Sequence, residues 1–139
     1  MIPDPEIKKY DGYYETRCLL KATIDVRNGL NVLVSHFGLN PDEQENAVET
    51  VVSNIPKEHC VLMGDFNMEP DNQILNPIMQ SLQDTAKVFS TYKLSFPSDT
   101  PKVKIDYIFV SKDLKVEYAD IPEIISSDHR PHVATIELE

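Results

Sequence analysis

At 139 residues the chain is sized for one domain, and 41% apolar with 26% charged residues is enough for an ordinary core under a polar surface. A formal charge of −10, from 13 Lys and Arg against 23 Asp and Glu, lacks the basic stripe of a stand-alone nucleic-acid-binding module. It suits a site for divalent cations or a small phosphorylated substrate. No apolar run reaches the length of a membrane span, and the opening MIPDPEIKKY lacks the apolar core of a signal peptide. Cys18 and Cys60 give neither a disulfide framework nor a metal spacing. Both sit in apolar strand-like runs and are expected to be buried free thiols, in a reducing, cytoplasmic setting.

Residues 1–15 are polar and aromatic and read as an extended arm. Leu19, Leu20, Ala22, Ile24 and Val26 predict a strand over about 16–27, and Asn28-Gly29 is a two-residue hairpin signal returning into a strand over 30–36 that ends at His36. A helix follows: Asn40 suits the N-cap, Pro41 the first helical position and Glu43 a capping box. Ala47, Val48, Val51, Val52 and Ile55 share one face, and Pro56 closes the helix. A strand over 59–64 completes a strand–helix–strand unit. Ile74, Leu75, Ile78, Met79 and Leu82 then repeat at helical spacing, where Pro77 marks either a kink or a helix start near Asn76. Residues 92–102 are loop, 104–111 a strand with Asp106 among apolar neighbours, 114–118 a strand expected beside it, 121–125 irregular, and 132–138 a last strand.

The stretch VLMGDFNMEP, 61–70, gathers these elements around it. Three apolar residues end a buried strand, Gly64 allows a sharp exit, and Asp65 and Asn67 share one face while Phe66 packs behind. An Asx turn at this point is the alternative reading. The other polar candidates, His36, Asp106 and the pair Asp128-His129, also sit at or near strand ends, and strand ends on one rim of a layered sheet converge. Carboxylates hold Mg²⁺, and imidazole handles a proton or a phosphate oxygen. Each has a plainer reading: His36 as a hydrogen-bonded core histidine, Asp106 as a partner of Lys104 or a tyrosine, Asp128 as a turn residue. Asp65-x-Asn67-x-Glu69 starts like a calcium loop, but Pro70 stands where glycine is needed and Asn76 where a bidentate glutamate is needed. No phosphate-binding glycine loop, nucleophile elbow or zinc pattern is present, and His59-Cys60 reads as structural.

Taken in order, SHFGL (35–39), GDFN (64–67), KIDYIFVS (104–111) and SSDHRP (126–131) resemble the endonuclease/exonuclease/phosphatase family, the DNase-I-like superfamily of metal-dependent phosphoesterases. The loop SFPSDTP ahead of KIDYIFVS is similar to small bacterial hydrolases of that family. The resemblance runs from about residue 15 to the end. It implies an α+β, layered fold: a DNase-I-like half-domain over 1–139, with one mixed, mostly antiparallel sheet and two helices packed on one face. It also implies a hydrolase, phosphodiesterase or nuclease working with Mg²⁺ or Mn²⁺ on a phosphodiester or phosphomonoester by in-line water attack.

In this resemblance Asp65 would orient or deprotonate the attacking water, and Asn67 would hydrogen-bond the phosphoryl oxygens. His129 would contact the scissile phosphate and move a proton, with Asp106 fixing its tautomer. Asp128 would help Asp65 hold the metal, His36 would donate to the phosphate or leaving group, and Arg17 would contact a substrate phosphate. The family's domain packs two sheets face to face, and this chain matches the second half. An asparagine and a metal-ligand glutamate of the first half have no counterpart here: Glu6 lies in the polar arm and Glu15 belongs to another motif. The expectations are therefore a piece of a longer protein, a homodimer burying an open sheet face, or a non-catalytic half-domain that assembles with itself or a partner. A small or lipid-linked phosphate ester is favoured over bulk DNA by the acidity.

Overall fold

Apolar residues at alternate positions on either side of Asn28-Gly29 fold into an antiparallel hairpin. In the computed structural model, which describes residues 14–138, β1 (Leu19–Ile24) and β2 (Leu30–Ser35) pair with Leu20 opposite Val34 and Ala22 opposite Val32. Arg27, Asn28 and Gly29 all have positive φ in the turn, a backbone that Asn and Gly accept readily. The first strand is shorter than expected, because residues 14–18 are irregular. The expected arm lies outside the described residues, apart from Tyr14 and Glu15.

Helix α1 (Pro41–Asn54) starts as its capping residues predict, with the Glu43 carboxylate accepting from the Asn40 backbone N–H at 3.4 Å. Its buried residues Ala47, Val48 and Val51 press on the sheet, and the crossover delivers β3 (Cys60–Asp65) parallel to β2. A 3-10 turn (Gln73–Leu75) leads into α2 (Asn76–Ser81), so Pro77 sits in the first turn of a helix and does not kink one. The short β4 (Gln83–Asp84) and β5 (Asp106–Val110) complete a five-stranded sheet of order β1-β2-β3-β5-β4. Only β2–β3 is parallel. Both helices contribute to one core with Leu33, Leu62, Tyr107 and Phe109, so the α+β architecture with helices on one face stands.

One pairing differs from expectation. Residues 114–118 do not pair with the 104–111 strand, because β5 already has β3 on one edge and β4 on the other. Instead β6 (Lys115–Asp120) pairs with β7 (Val133–Glu137) in a separate ribbon. Val116, Ile136 and Leu138 of this ribbon region pack on Val61, Val110 and Leu114, on the sheet face away from the helices.

Strand register organises that second face into rows. Ala22, Val32, Val61 and Val110 form one apolar row, and Leu20, Val34, Met63 and Ile108 form the next. One pleat further, at the rim, the same alternation places His36, Asp65 and Asp106. The ribbon covers the β3–β5 end, whereas Leu20 (62% exposed) and Ile24 (46%) leave the β1–β2 end open. Cys18, just before β1, is exposed, against the expectation that both thiols are buried. Cys60 is buried, and burial pushes its thiol up to about 11. No helix among the described residues is long and apolar enough to cross a membrane.

Candidate active site

The site is built where β3 ends. Gly64 has φ +149, and a Cβ placed there would lie 1.8 Å from the Ser35 carbonyl oxygen, so only glycine lets β2 and β3 approach this closely. Phe66 is fully buried and stacks on Phe37 at 4.4 Å and on Tyr107 at 5.6 Å between ring centroids. That anchor turns its sequence neighbours Asp65 and Asn67 toward the rim. Asn67 has φ +50; its backbone N–H donates to Asp65 Oδ1 at 2.9 Å and its Nδ2 donates to the Phe37 carbonyl at 2.8 Å. Gln44 of α1 donates to the Asn67 carbonyl at 3.2 Å. The Asx turn and the polar site are thus the same structure.

Two imidazoles and a second carboxylate surround Asp65. His36 Nε2 lies 3.4 Å from Asp65 Oδ2, and His129 Nε2 lies 3.6 Å from the same oxygen. His129 Nδ1 meets Asp106 Oδ2 at 2.8 Å; because an ionised carboxylate only accepts, Nδ1 carries the proton. Burial raises the Asp65 carboxyl above its ordinary value; the Asn67 N–H opposes this, Asp106 adds to it, and the two imidazoles subtract. For His129 burial alone would lower the value, but the Asp106 hydrogen bond and the charges of Asp106, Asp65 and Asp128 outweigh it and hold the imidazole above its usual range. A cleft of about 450 Å³ opens onto these groups, running from the Met63 and Ile108 row past Asp65, Asp106 and His129.

His129 comes from the long connection between β6 and β7, and the loop before β5 holds that connection in place. Ser98 N–H donates to the Asp128 carbonyl at 2.8 Å, and Arg130 N–H donates to the Ser95 carbonyl at 2.8 Å. Arg130 Nε donates to the Ser98 carbonyl at 2.8 Å, and the Phe96 ring packs 4.7 Å from the His129 ring. Ser95 ties this loop to β5 by accepting from Ile105 N–H at 3.1 Å. The supporting role of Ser95, Phe96 and Ser98 is not readable from periodicity. Its one signal is the SFPSDTP stretch ahead of the Asp106 strand.

Of the residues singled out from sequence, His36, Asp65, Asp106 and His129 come together, with Asn67 bonded to the edge of the group. Asp106 pairs through its carboxylate with His129, not with Lys104 or a tyrosine. Asp128 is exposed; its Oδ1 accepts from Ser127 Oγ at 3.0 Å, and it stays outside the cluster. Arg17 is bound to Glu15 at 2.8 Å and is likewise not drawn in. His59, at the opposite end of the sheet, has its Nδ1 3.2 Å from the Gly29 carbonyl and its Nε2 3.6 Å from Asp113, a structural corner. Among the described residues Asp65, Asp106 and His129 each offer a ligand atom within 4.8 Å of the others. Carboxylates with room for water and phosphate oxygens suit a hard divalent cation.

Residues 11–129 match the Endonuclease/Exonuclease/phosphatase family. The chain belongs to this family. Similar solved structures share its fold. A conserved protein of Enterococcus faecalis V583 has a TM-score of 0.70 at 20% identity, over 83% of this chain and 52% of that one. The mannosyl-6-phosphatase of Bacteroides thetaiotaomicron VPI-5482 gives 0.64 at 18%, over 79% and 52%. TDP2 of D. rerio, solved with a single-strand DNA product, gives 0.65 at 16%, over 88% and 62%. The chain thus spans about half the length of the solved family relatives it matches. No curated protein gives a significant match.

Proposed function

We propose that this chain forms the catalytic half of a divalent-metal-dependent phosphoesterase, cleaving a phosphodiester or phosphomonoester by in-line attack of water. The observation that carries the reading is the Asp106–His129 pair at 2.8 Å with its free edge, Nε2, turned toward Asp65. Family membership supports it, as do relatives described as a phosphatase and as a protein holding a DNA product.

In this mechanism Asp65, made more basic by burial, orients the attacking water and accepts its proton. His129 is protonated more readily than a free histidine and presents Nε2–H to a phosphoryl or leaving oxygen. Asp106 holds the tautomer and orientation. Asn67 has two amide hydrogens; one is given to Phe37, and the second is offered to a phosphoryl oxygen as charge develops. His36, 58% exposed on its side chain, is open to the substrate and donates from the other flank. Asp106 Oδ2 is committed to the imidazole, so Asp65 would hold the Mg²⁺ or Mn²⁺ together with water and phosphate oxygens; Asp128, whose Oδ1 accepts from Ser127, would join it only by turning its side chain inward. When bound, that cation supplies Lewis-acid polarisation of the phosphoryl group. A net charge of −10 favours a small or lipid-linked phosphate ester over bulk DNA.

The test is hydrolysis of bis-p-nitrophenyl phosphate and p-nitrophenyl phosphate with Mg²⁺, Mn²⁺ or chelator, alongside Asp65→Ala and His129→Ala. Turnover that needs metal and is lost in both variants supports the reading; metal-independent turnover surviving in both overturns it. A second reading, a half-domain that acts only when assembled, is favoured by the apolar rows left open at Leu20, Ile24 and Val34. It predicts self-association in light scattering, whereas a monodisperse monomer that turns over substrate counts against it.

A further inference from the structure

Asp106 is the first residue of β5, and its main chain lies where the sheet gives least support. The Ile105 carbonyl accepts from Phe66 N–H at 2.9 Å, so the next carbonyl, that of Asp106, points to the opposite edge. On that edge β4 reaches only Phe109 and Val110. Two side chains supply the missing donors, one from two residues earlier in the same stretch and one from the segment ahead of β7. Lys104 Nζ donates to the Asp106 carbonyl at 3.1 Å, and His132 Nδ1 lies 3.3 Å from the same oxygen, which can only accept.

Both groups are costly to keep here. Lys104 is 1% exposed, with Nζ 3.5 Å above the centroid of the Tyr107 ring and 3.9 Å from Asp84 Oδ2. Burial brings its ammonium down to about 8, and burial brings His132 down to about 4. A buried cation contributes little net stability over an apolar side chain of similar volume, so its presence calls for another role. We propose that Lys104 and His132 are positioning residues that clamp the Asp106 main-chain carbonyl from two sides and thereby aim its carboxylate at His129 Nδ1. The clamp rests on the phosphoesterase reading, yet it acts on a hydrogen bond that exists without turnover.

The experiment compares wild type with Lys104→Met, Lys104→Arg and His132→Phe. The slowly exchanging Nδ1–H signal of His129 is followed by NMR, together with kcat and KM for bis-p-nitrophenyl phosphate. His129→Ala assigns the signal. Lys104→Met should lose the signal to exchange and lower kcat by about 10- to 100-fold with KM unchanged, the scale typical of partners that orient a working histidine. Lys104→Arg should recover part of both. A folded Lys104→Met protein with the signal and kcat of wild type overturns the clamp. Should that variant fail to fold, His132→Phe keeps a ring beside Phe89 and is followed by the same signal and the same kcat. Loss of the signal with a lower kcat supports the clamp there too, and wild-type values of both overturn it. Wild-type protein that shows the signal without turnover defeats the proposed reaction and leaves the clamp to be judged on the signal alone.

Discussion

Asp106→Asn is the substitution that separates charge from shape in this site. Asparagine keeps the size of aspartate and can still present an oxygen to His129 Nδ1–H, so the 2.8 Å contact survives as a neutral hydrogen bond. A hydrogen bond to a charged partner is worth about 1.5–3 kcal/mol and a neutral one about 0.5–1.5 kcal/mol, a loss of about 1 kcal/mol or somewhat more. Losing that part of the attraction for the protonated ring should lower the His129 pKa. Asp65 and Asp128 still act on the ring, so the drop is partial. The assay is an NMR pH titration of the His129 ring, one of four histidines in the chain. Because the folded pKa is raised, the pair stabilises the fold fully below the ordinary value of 6.5, and that gain is lost as pH rises through the folded value. Asp106→Asn should therefore lower Tm at pH 6 and have little effect at pH 9, with kcat down by about 10²-fold. An unchanged His129 pKa would refute the reasoning, since the carboxylate would then not be what sets it.

Gly64→Ala should be the most damaging glycine substitution among the described residues, because its Cβ meets the Ser35 carbonyl at 1.8 Å and φ +149 strains any side chain. Circular dichroism melts should show a loss beyond the usual ~0.5–3 kcal/mol of single substitutions, and a wild-type Tm would contradict the close approach. Asp65→Asn should abolish turnover without destabilising the fold. Its carboxyl is raised above 3.8, chiefly by burial, so its contribution to stability is full below that value and lost as pH rises through the folded one. The variant should match or exceed wild type in Tm at pH 7.5, with the advantage shrinking at low pH; a lower Tm at pH 7.5 would show the carboxylate to be structurally required.

Much of the site was legible because its residues obey local rules. A two-residue period carries Val34 to His36 and Met63 to Asp65, so one strand pattern predicts both the apolar face and its polar rim. The capping box at Asn40 and the glycine ahead of Asp65 are equally local. What escaped depends on long-range competition. The 114–118 strand looked like a neighbour of β5, but no pattern within it reveals that β4, two residues long, already occupies that edge. Cys18 sits in an apolar run, yet its exposure depends on what covers the β1 face, which alternation does not encode. Asp106 offered Lys104 and a tyrosine as sequence neighbours, whereas its partner His129 lies 23 residues away on a loop fixed by Ser95, Phe96 and Ser98. Asp128 shares that loop, but its side chain is turned to Ser127, a rotamer choice beyond sequence.

The centre itself is tested most directly by titrating Mn²⁺, a paramagnetic stand-in for Mg²⁺, while recording the ring signals of the four histidines. His36 and His129, both within 3.6 Å of Asp65, should broaden at the lowest additions, with His59 at the far end of the sheet unaffected. Asp65→Ala should remove the effect. Broadening that reaches His59 first, or that persists unchanged in Asp65→Ala, would contradict a metal-assisted phosphoesterase centre at these residues.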